Sequence, residues 1–377
     1  MKIATIIGAR PQFIKAAAVS RAIAKHNNLT HNPLPITCCK APITHYPSPI
    51  TEIIIHTGQH YDDEMSAIFF RELEIPKPKY NLNIGSGTHG TQTGKMLSGI
   101  EDVLLKEKPD WVLIYGDTNS TLAGAVSAAK LHIPIAHVEA GLRSFNRLMP
   151  EEINRVLADH ISHLLLCPSQ VAVNNLSAEG ISKGVKIVGD VMADALQFAA
   201  RHIQTKADIK KKLQLQNQTY LLATIHRAEN TDNKERLQNI ISALNSLEDT
   251  IILPIHPRTR KILHDMNLTL KPHVRIIDPV GYFDMIALEY SARMILTDSG
   301  GIQKEAYWLK VPCVTLRDET EWLETVENGW NILTGANSAK IIKAVKTFKS
   351  PAKHPQLYGN GKAAEKCLKT LLKYKST

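Results

Sequence analysis

The sequence predicts an α/β protein of two doubly wound parallel-sheet domains facing a cleft. Two observations carry that expectation. Short apolar, β-rich runs alternate from end to end with longer amphipathic stretches, the pattern of parallel strands covered by helices. The chain has 377 residues, and single hydrophobic cores rarely grow past about 250 to 300 residues.

Five runs make the first group: Ile3–Ile7, Ile53–Ile55, Trp111–Tyr115, Ile133–Val138 and Leu164–Cys167. Five more make the second: Tyr220–Ile225, Ile251–Ile255, Val274–Ile277, Met294–Thr297 and Cys313–Leu316. Each group fits one Rossmann-like sheet. Between them Val188-Gly189-Asp190 leads into a helix from Met192, which puts the boundary near residue 190. The expected domains are therefore residues 1–190 and 191–354, followed by a C-terminal helix within 355–377. Residues 28–50 break the pattern with Pro33, Pro35, Pro42, Pro47 and Pro49 and keep no period. Proline fixes φ and removes a donor, so this segment reads as an irregular surface insertion. No fixed-period repeat of the solenoid kind is present.

Composition narrows the function classes. Hydrophobic residues make up 44% and charged residues 21%, as in a globular protein. No stretch approaches the roughly 18 to 20 apolar residues of a membrane helix, so no membrane association is expected. The start runs from a strand straight into Gly8-Ala9-Arg10 without a small-residue cleavage site, which predicts a cytoplasmic protein. Five cysteines, Cys38, Cys39, Cys167, Cys313 and Cys367, lack C-x-x-C spacing. That predicts neither disulfides nor a metal site. The net charge of +9 would attract any anion. Its lysines and arginines are spread out, and from Lys340 to Lys375 they alternate with apolar residues as on a solvated helix face. A small anionic substrate is expected rather than nucleic acid.

In open α/β sheets ligands sit at the carboxyl ends of the strands. After the first run, Gly8-Ala9-Arg10-Pro11-Gln12-Phe13-Ile14-Lys15 is a tight turn opening a helix with two cations near its start, suited to a phosphate or uridine. Gly116-Asp117-Thr118-Asn119-Ser120-Thr121 puts a carboxylate at the sheet edge, where an N-cap is the plain structural alternative. His137-Val138-Glu139-Ala140-Gly141-Leu142-Arg143 ends another strand, and a polar loop then reaches Pro150-Glu151-Glu152-Ile153-Asn154-Arg155. Compensation of a helix dipole explains one of the paired glutamates. It does not explain Glu139, an acid directly after an apolar strand, which is either matched to an arginine or functional.

In the second half His226-Arg227-Ala228-Glu229-Asn230 follows a strand, as does His256-Pro257-Arg258-Thr259-Arg260. Thr297-Asp298-Ser299-Gly300-Gly301-Ile302-Gln303-Lys304-Glu305 is strand, small-residue turn and helix start. Its glycines let backbone amides approach a diphosphate, while Glu305 one turn on suits ribose hydroxyls. There is no Walker motif and no G-x-G-x-x-G after a strand, so neither an NAD site nor an ordinary NTP site is predicted.

In order and spacing these segments, with Gly58-Gln59-His60, resemble the non-hydrolysing UDP-N-acetylglucosamine 2-epimerase family over nearly the whole chain apart from the insertion. The resemblance implies a glycosyltransferase-B-like fold whose last helix crosses back to the first domain. It also implies a cofactor-independent inversion at sugar C2, by anti elimination of UDP and re-addition, and a homodimer. Asp117, Glu139 and Glu151 match the family's catalytic carboxylates and His226 its catalytic histidine. Arg10, Lys15, Arg155, Ser299, Gly300, Gly301, Glu305 and Arg317 match nucleotide-binding positions. Gln59, His60 and His256 match part of a regulatory UDP-sugar site. Gly85-Ser86-Gly87-Thr88-His89-Gly90 departs from the basic stretch that site uses in typical bacterial members.

Several motifs, among them Arg317-Asp318-Glu319-Thr320-Glu321-Trp322, are closer to a branch that includes UDP-2,3-diacetamido-2,3-dideoxyglucuronate 2-epimerases. The added carboxylate of that substrate would need a further cation such as Arg147 or Arg258. UDP-N-acetylglucosamine is the leading substrate and the diacetamido uronate the alternative. A hydrolysing epimerase, a glycosyltransferase of the same fold and a non-catalytic nucleotide-sugar sensor are the competing readings.

Overall fold

The apolar runs become parallel strands buried on both faces, in a computed structural model that describes residues 1–31, 48–59, 70–206 and 208–374. The first sheet contains β1 (Lys2–Ile7), β2 (Thr51–His56), β3 (Tyr80–Asn81), β4 (Trp111–Tyr115), β5 (Ile135–Val138), β6 (Leu164–Cys167) and β7 (Val185–Ile187). Its order is β3-β2-β1-β4-β5-β6-β7, every pair being parallel. The second contains β8 (Tyr220–Thr224), β9 (Thr250–Pro254), β10 (Val274–Ile277), β11 (Met294–Thr297), β12 (Cys313–Thr315) and β13 (Asn331–Leu333). It is again parallel throughout, in the order β10-β9-β8-β11-β12-β13. Two doubly wound sheets with covering helices are thus the fold class, as the alternation of runs required.

Three strands were not anticipated. β3, β7 and β13 are two or three residues long and mostly not fully buried, so they carry no continuous apolar run. β5 begins at Ile135 rather than at Ile133, because Pro134 has no amide to give the ladder. The helix Arg10–His31 runs four residues into the segment read as irregular. Just before its last turn, the Asn27 amide donates to Ile50 O at 2.8 Å and accepts from Ile50 N at 2.9 Å. The remainder of that segment up to residue 47 lies outside the described residues.

Chain contacts divide the protein into Met1–Ala195 with Tyr358–Thr377, and Leu196–Leu357. The helix Ala363–Lys373 belongs to the first unit and packs beside Arg10–His31. It buries Cys367, Leu368 and Leu371, and its free N-terminal amides are met by Asp194, whose carboxylate accepts from Ala363 N at 3.0 Å and Ala364 N at 3.1 Å. In the first sheet β1 lies between β2 and β4, and in the second β8 lies between β9 and β11. At those two points the winding reverses and the loops diverge, so each sheet has its crevice there.

Candidate active site

At the first reversal the two loops are joined by one buried amide. Gln12 Oε1 accepts from Gly8 N at 2.8 Å and Ala9 N at 3.2 Å, while its Nε2 donates to Tyr115 O and Thr121 Oγ1, both at 3.0 Å. A side chain at Gly8 would run into the hydroxyls of Thr57 and Ser120. Those hydroxyls lie 2.8 Å from each other, and Ser120 Oγ also donates to Gln59 Oε1 at 2.8 Å.

Over this base sit two cations, each paired with acids. Lys15 Nζ lies 2.6 Å from Glu139 Oε1, with only 7% of either side chain exposed. Arg155 pairs through Nη2 with Asp117 and through Nη1, at 2.8 Å, with Glu152. Burial opposes the charge on Asp117, yet the attraction of Arg155 and Lys15 outweighs burial and the repulsion of Glu139, holding its carboxyl below the usual range. The helix that follows is capped by Thr118, which accepts from Thr121 N, leaving the Asp117 carboxylate to Arg155. Asn154 Nδ2 fixes the same turn by donating to Asp117 O at 2.9 Å.

The backbone here is special. Gly116 has φ +62, and a Cβ at that position would come within 2.9 Å of Lys15 Nζ. Glu139 itself has φ +71, a left-handed conformation that costs a non-glycine residue about 1–2 kcal/mol and persists where surroundings over-determine it. Glu151 is half-buried in the first turn of the helix Pro150–Ile161. Its neighbour Glu152 is the structural one of the pair. It accepts from Ser144 N at 2.9 Å, Ser144 Oγ at 3.0 Å and Phe145 N at 3.0 Å, and so ties down the loop between the two acidic motifs.

At the second reversal the organiser is Asp298, fully inaccessible to solvent. Its carboxylate accepts from His226 N at 3.1 Å, Arg227 N at 3.1 Å and Asn230 Nδ2 at 3.2 Å. It also lies 3.0 Å from Nδ1 of the half-exposed His226 ring. Burial again disfavours its charge, but His226 and these donors hold its carboxyl below the ordinary value. Above it the helix Gly300–Leu309 begins. A side chain at Gly300 would strike the Glu321 carboxylate and approach Trp322 Nε1 at 3.4 Å, so glycine is needed for space. Arg317, 1% exposed, pairs with Glu321 at 3.0 Å. Lys304 Nζ, equally buried, stands 3.9 Å above the Trp322 ring. Amides at the start of a helix, with two buried cations behind them, can receive a diphosphate.

The profile of the UDP-N-acetylglucosamine 2-epimerase family matches residues 45–372. The chain belongs to that family. A UDP-N-acetylglucosamine 2-epimerase homolog of Methanococcus maripaludis is 55% identical over 98% of this chain and 99% of its own length. The UDP-2,3-diacetamido-2,3-dideoxy-D-glucuronate 2-epimerase of Pseudomonas aeruginosa is 50% identical over 99% of this chain and all of its own. Among solved structures, Methanocaldococcus jannaschii UDP-GlcNAc 2-epimerase in complex with UDP-GlcNAc and UDP has a TM-score of 0.88 and 48% identity, covering 98% of this chain and 99% of that one.

Within this member of the epimerase family the expected residues fall into separate groups. Lys15, Asp117, Glu139 and Arg155 meet in the first unit, with Glu151 one turn of helix away from Arg155. Arg10 is the first residue of its helix. His226, Ser299, Gly300, Gly301, Glu305 and Arg317 lie on three consecutive strand ends of the second unit and the helix Gly300–Leu309. Of the positions matched to a regulatory site, Gln59 is engaged by Ser120 and His256 caps the helix Pro257–Asp265 by accepting from Arg258 N at 3.2 Å. His60 lies outside the described residues. Arg258 pairs with Asp232 at 2.5 Å. Gln12, Asn154 and Asp298 carry no role of their own in the sequence reading. The signal that could have raised Asp298 is an acid ending an apolar strand, the same one that raises Glu139.

Proposed function

We propose that this chain interconverts UDP-N-acetylglucosamine and UDP-N-acetylmannosamine without a cofactor, by anti elimination of UDP and re-addition. The observation that carries the reading is the paired arrangement at the first reversal, where Asp117 and Glu139 each contact a buried cation. Breaking the C2–H bond needs a positioned carboxylate, and breaking the bond from C1 to the UDP oxygen needs positive charge and helix amides for the leaving diphosphate. In this scheme a carboxylate among Asp117, Glu139 and Glu151 takes the C2 proton and another returns one to the opposite face. His226, oriented by Asp298, attends the diphosphate together with the Ser299-Gly300-Gly301 turn. Arg10, Lys15, Arg155, Glu305 and Arg317 serve the nucleotide.

Incubation with UDP-N-acetylglucosamine in deuterated water tests this. Deuterium at C2 and the appearance of UDP-N-acetylmannosamine are expected. Release of free sugar would point instead to a hydrolysing enzyme, and turnover that depends on an acceptor to a glycosyltransferase. Exchange confined to the diacetamido uronate would move the assignment to the second substrate, which the Pseudomonas relative supports. Arg147, exposed in the loop between the acidic motifs, would then answer the extra carboxylate.

The reading includes a cytoplasmic homodimer. Supporting the location, the three described cysteines, Cys167, Cys313 and Cys367, are free and buried. Supporting the dimer, Ile153 and Leu157 share an exposed face of the helix Pro150–Ile161, 48% and 47% accessible. Light scattering should give twice the chain mass, and a monomeric mass at working concentration would remove this part of the reading.

A further inference from the structure

His137 stands in the middle of an apolar strand and is completely inaccessible. Its Nδ1 lies 2.7 Å from Asp159 Oδ1 and its Nε2 lies 2.7 Å from Gly116 O. A carbonyl only accepts, so Nε2 carries a proton. On its other carboxylate oxygen, Oδ2, Asp159 accepts from Gly141 N at 3.0 Å and from Arg143 Nη1 at 2.7 Å. Asp159 thus joins the His137 ring to the Gly141 amide. Burial works against the charge on Asp159, but His137 and Arg143 hold its carboxyl below the usual range. The remaining charges close the group. Arg143 also makes a forked pair with Glu179 at 2.6 and 2.8 Å. Burial, with Asp159 beside it, pushes the Cys167 thiol up to about 12, so it stays neutral.

The two backbone groups held in this way are not arbitrary. Gly116 precedes Asp117, and Gly141 lies two residues after Glu139. All three of Gly116, Glu139 and Gly141 are left-handed, at φ +62, +71 and +82. We propose that His137 is a positioning residue for the reaction, a clamp that fixes the Asp117 turn directly and the Glu139 turn through Asp159. The proposal rests on the epimerase reading given above. It adds a group that never touches the sugar and yet sets the spacing of the two carboxylates.

His137→Gln tests it, because glutamine donates from one end only and cannot hold both acceptors. A displacement of about 1 Å in a catalytic constellation can cost about 100-fold. The expected result is a loss of about 10- to 100-fold in kcat, with KM and the affinity for UDP little changed and deuterium exchange at C2 slowed in proportion. A folded variant with parental kcat overturns the proposal, and so does a rise in KM alone. Should the variant fail to fold, the parent protein labelled with 15N-histidine gives a second reading. One buried imidazole whose Nε2 proton is hydrogen-bonded and slow to exchange with solvent is expected, and a ring with no proton on Nε2 overturns the clamp. If the parent shows no C2 exchange with either UDP-sugar, the epimerase reading fails, while the nitrogen spectrum still reports on His137.

Discussion

Both sheets place their strands in the same order around a central reversal, and the two reversals are built from opposite materials. The first carries carboxylates held at the surface of the sheet by Lys15 and Arg155, on a backbone partly in the left-handed region. The second buries the carboxylate of Asp298 and uses it to organise loops, with a small-residue turn and a half-exposed His226 beside it. One topology thus supplies two kinds of surface, acids poised against cations and amides at a helix start, to which the proposed reaction assigns the sugar and the diphosphate. Rossmann-like winding chooses the place, and the residue that ends each strand chooses the chemistry.

Asp117→Asn gives the sharpest break in that comparison. Asp117 is one of the three carboxylates proposed for proton transfer, and loss of such a group lowers turnover by about 10^2- to 10^4-fold, while UDP binding measured by calorimetry should be nearly unchanged. If affinity and turnover fell together, the two reversals would not divide the work as described. Asp298→Ala probes the other side. Three donors would lose their buried acceptor, at about 1–3 kcal/mol, read as lower stability in urea together with weaker UDP binding. Gly116→Ala should destabilise the protein by about 1–2 kcal/mol through its positive φ and displace Lys15, lowering activity as well. Unchanged activity would mean that the ammonium is not held by that turn.

Acid titration refines the contrast further. Asp117 and Asp298 both have folded-state values depressed below 3.8. Each therefore contributes stability that is complete above that value and is lost as the pH falls through the depressed one. Either aspartate changed to asparagine should flatten the acid limb of the stability profile below about pH 4 and leave the neutral region parallel to the parent's. A profile that keeps its acid limb would show that the neighbouring cations do not hold these charges. The smallest effect is expected at Arg260, whose pair with Asp278 is largely exposed. Arg260→Ala should change stability by less than about 1 kcal/mol.

Much of the fold was legible because parallel strands are buried on both faces and so print a continuous apolar run. The strands that escaped, β3, β7 and β13, bury too little to leave one. Glu139 was legible in the same way, since an acid directly after an apolar strand has a cost that something must offset. Partners were not. Lys15 and Glu139 lie 124 residues apart, and no local spacing announces that one ammonium will meet one carboxylate. Gln12 was equally silent, because a buried glutamine in a helix shows its use only when both loops it joins are in view. Thr118 illustrates the converse. The motif admits a cap and a site acid together, and the structure gives the two tasks to adjacent residues.

The last helix belongs to the first unit and is tied by Asp194 at its start. That tie bears on the order of events during synthesis. A ribosome extends the chain by about 5 to 20 residues per second, and units completed early usually fold early. Here the unit begun first is finished last, because residues 358–377 emerge only after all of 196–357. The second sheet can close while the first still waits for its final helix, and during that interval the face of Arg10–His31 that this helix covers stays uncovered.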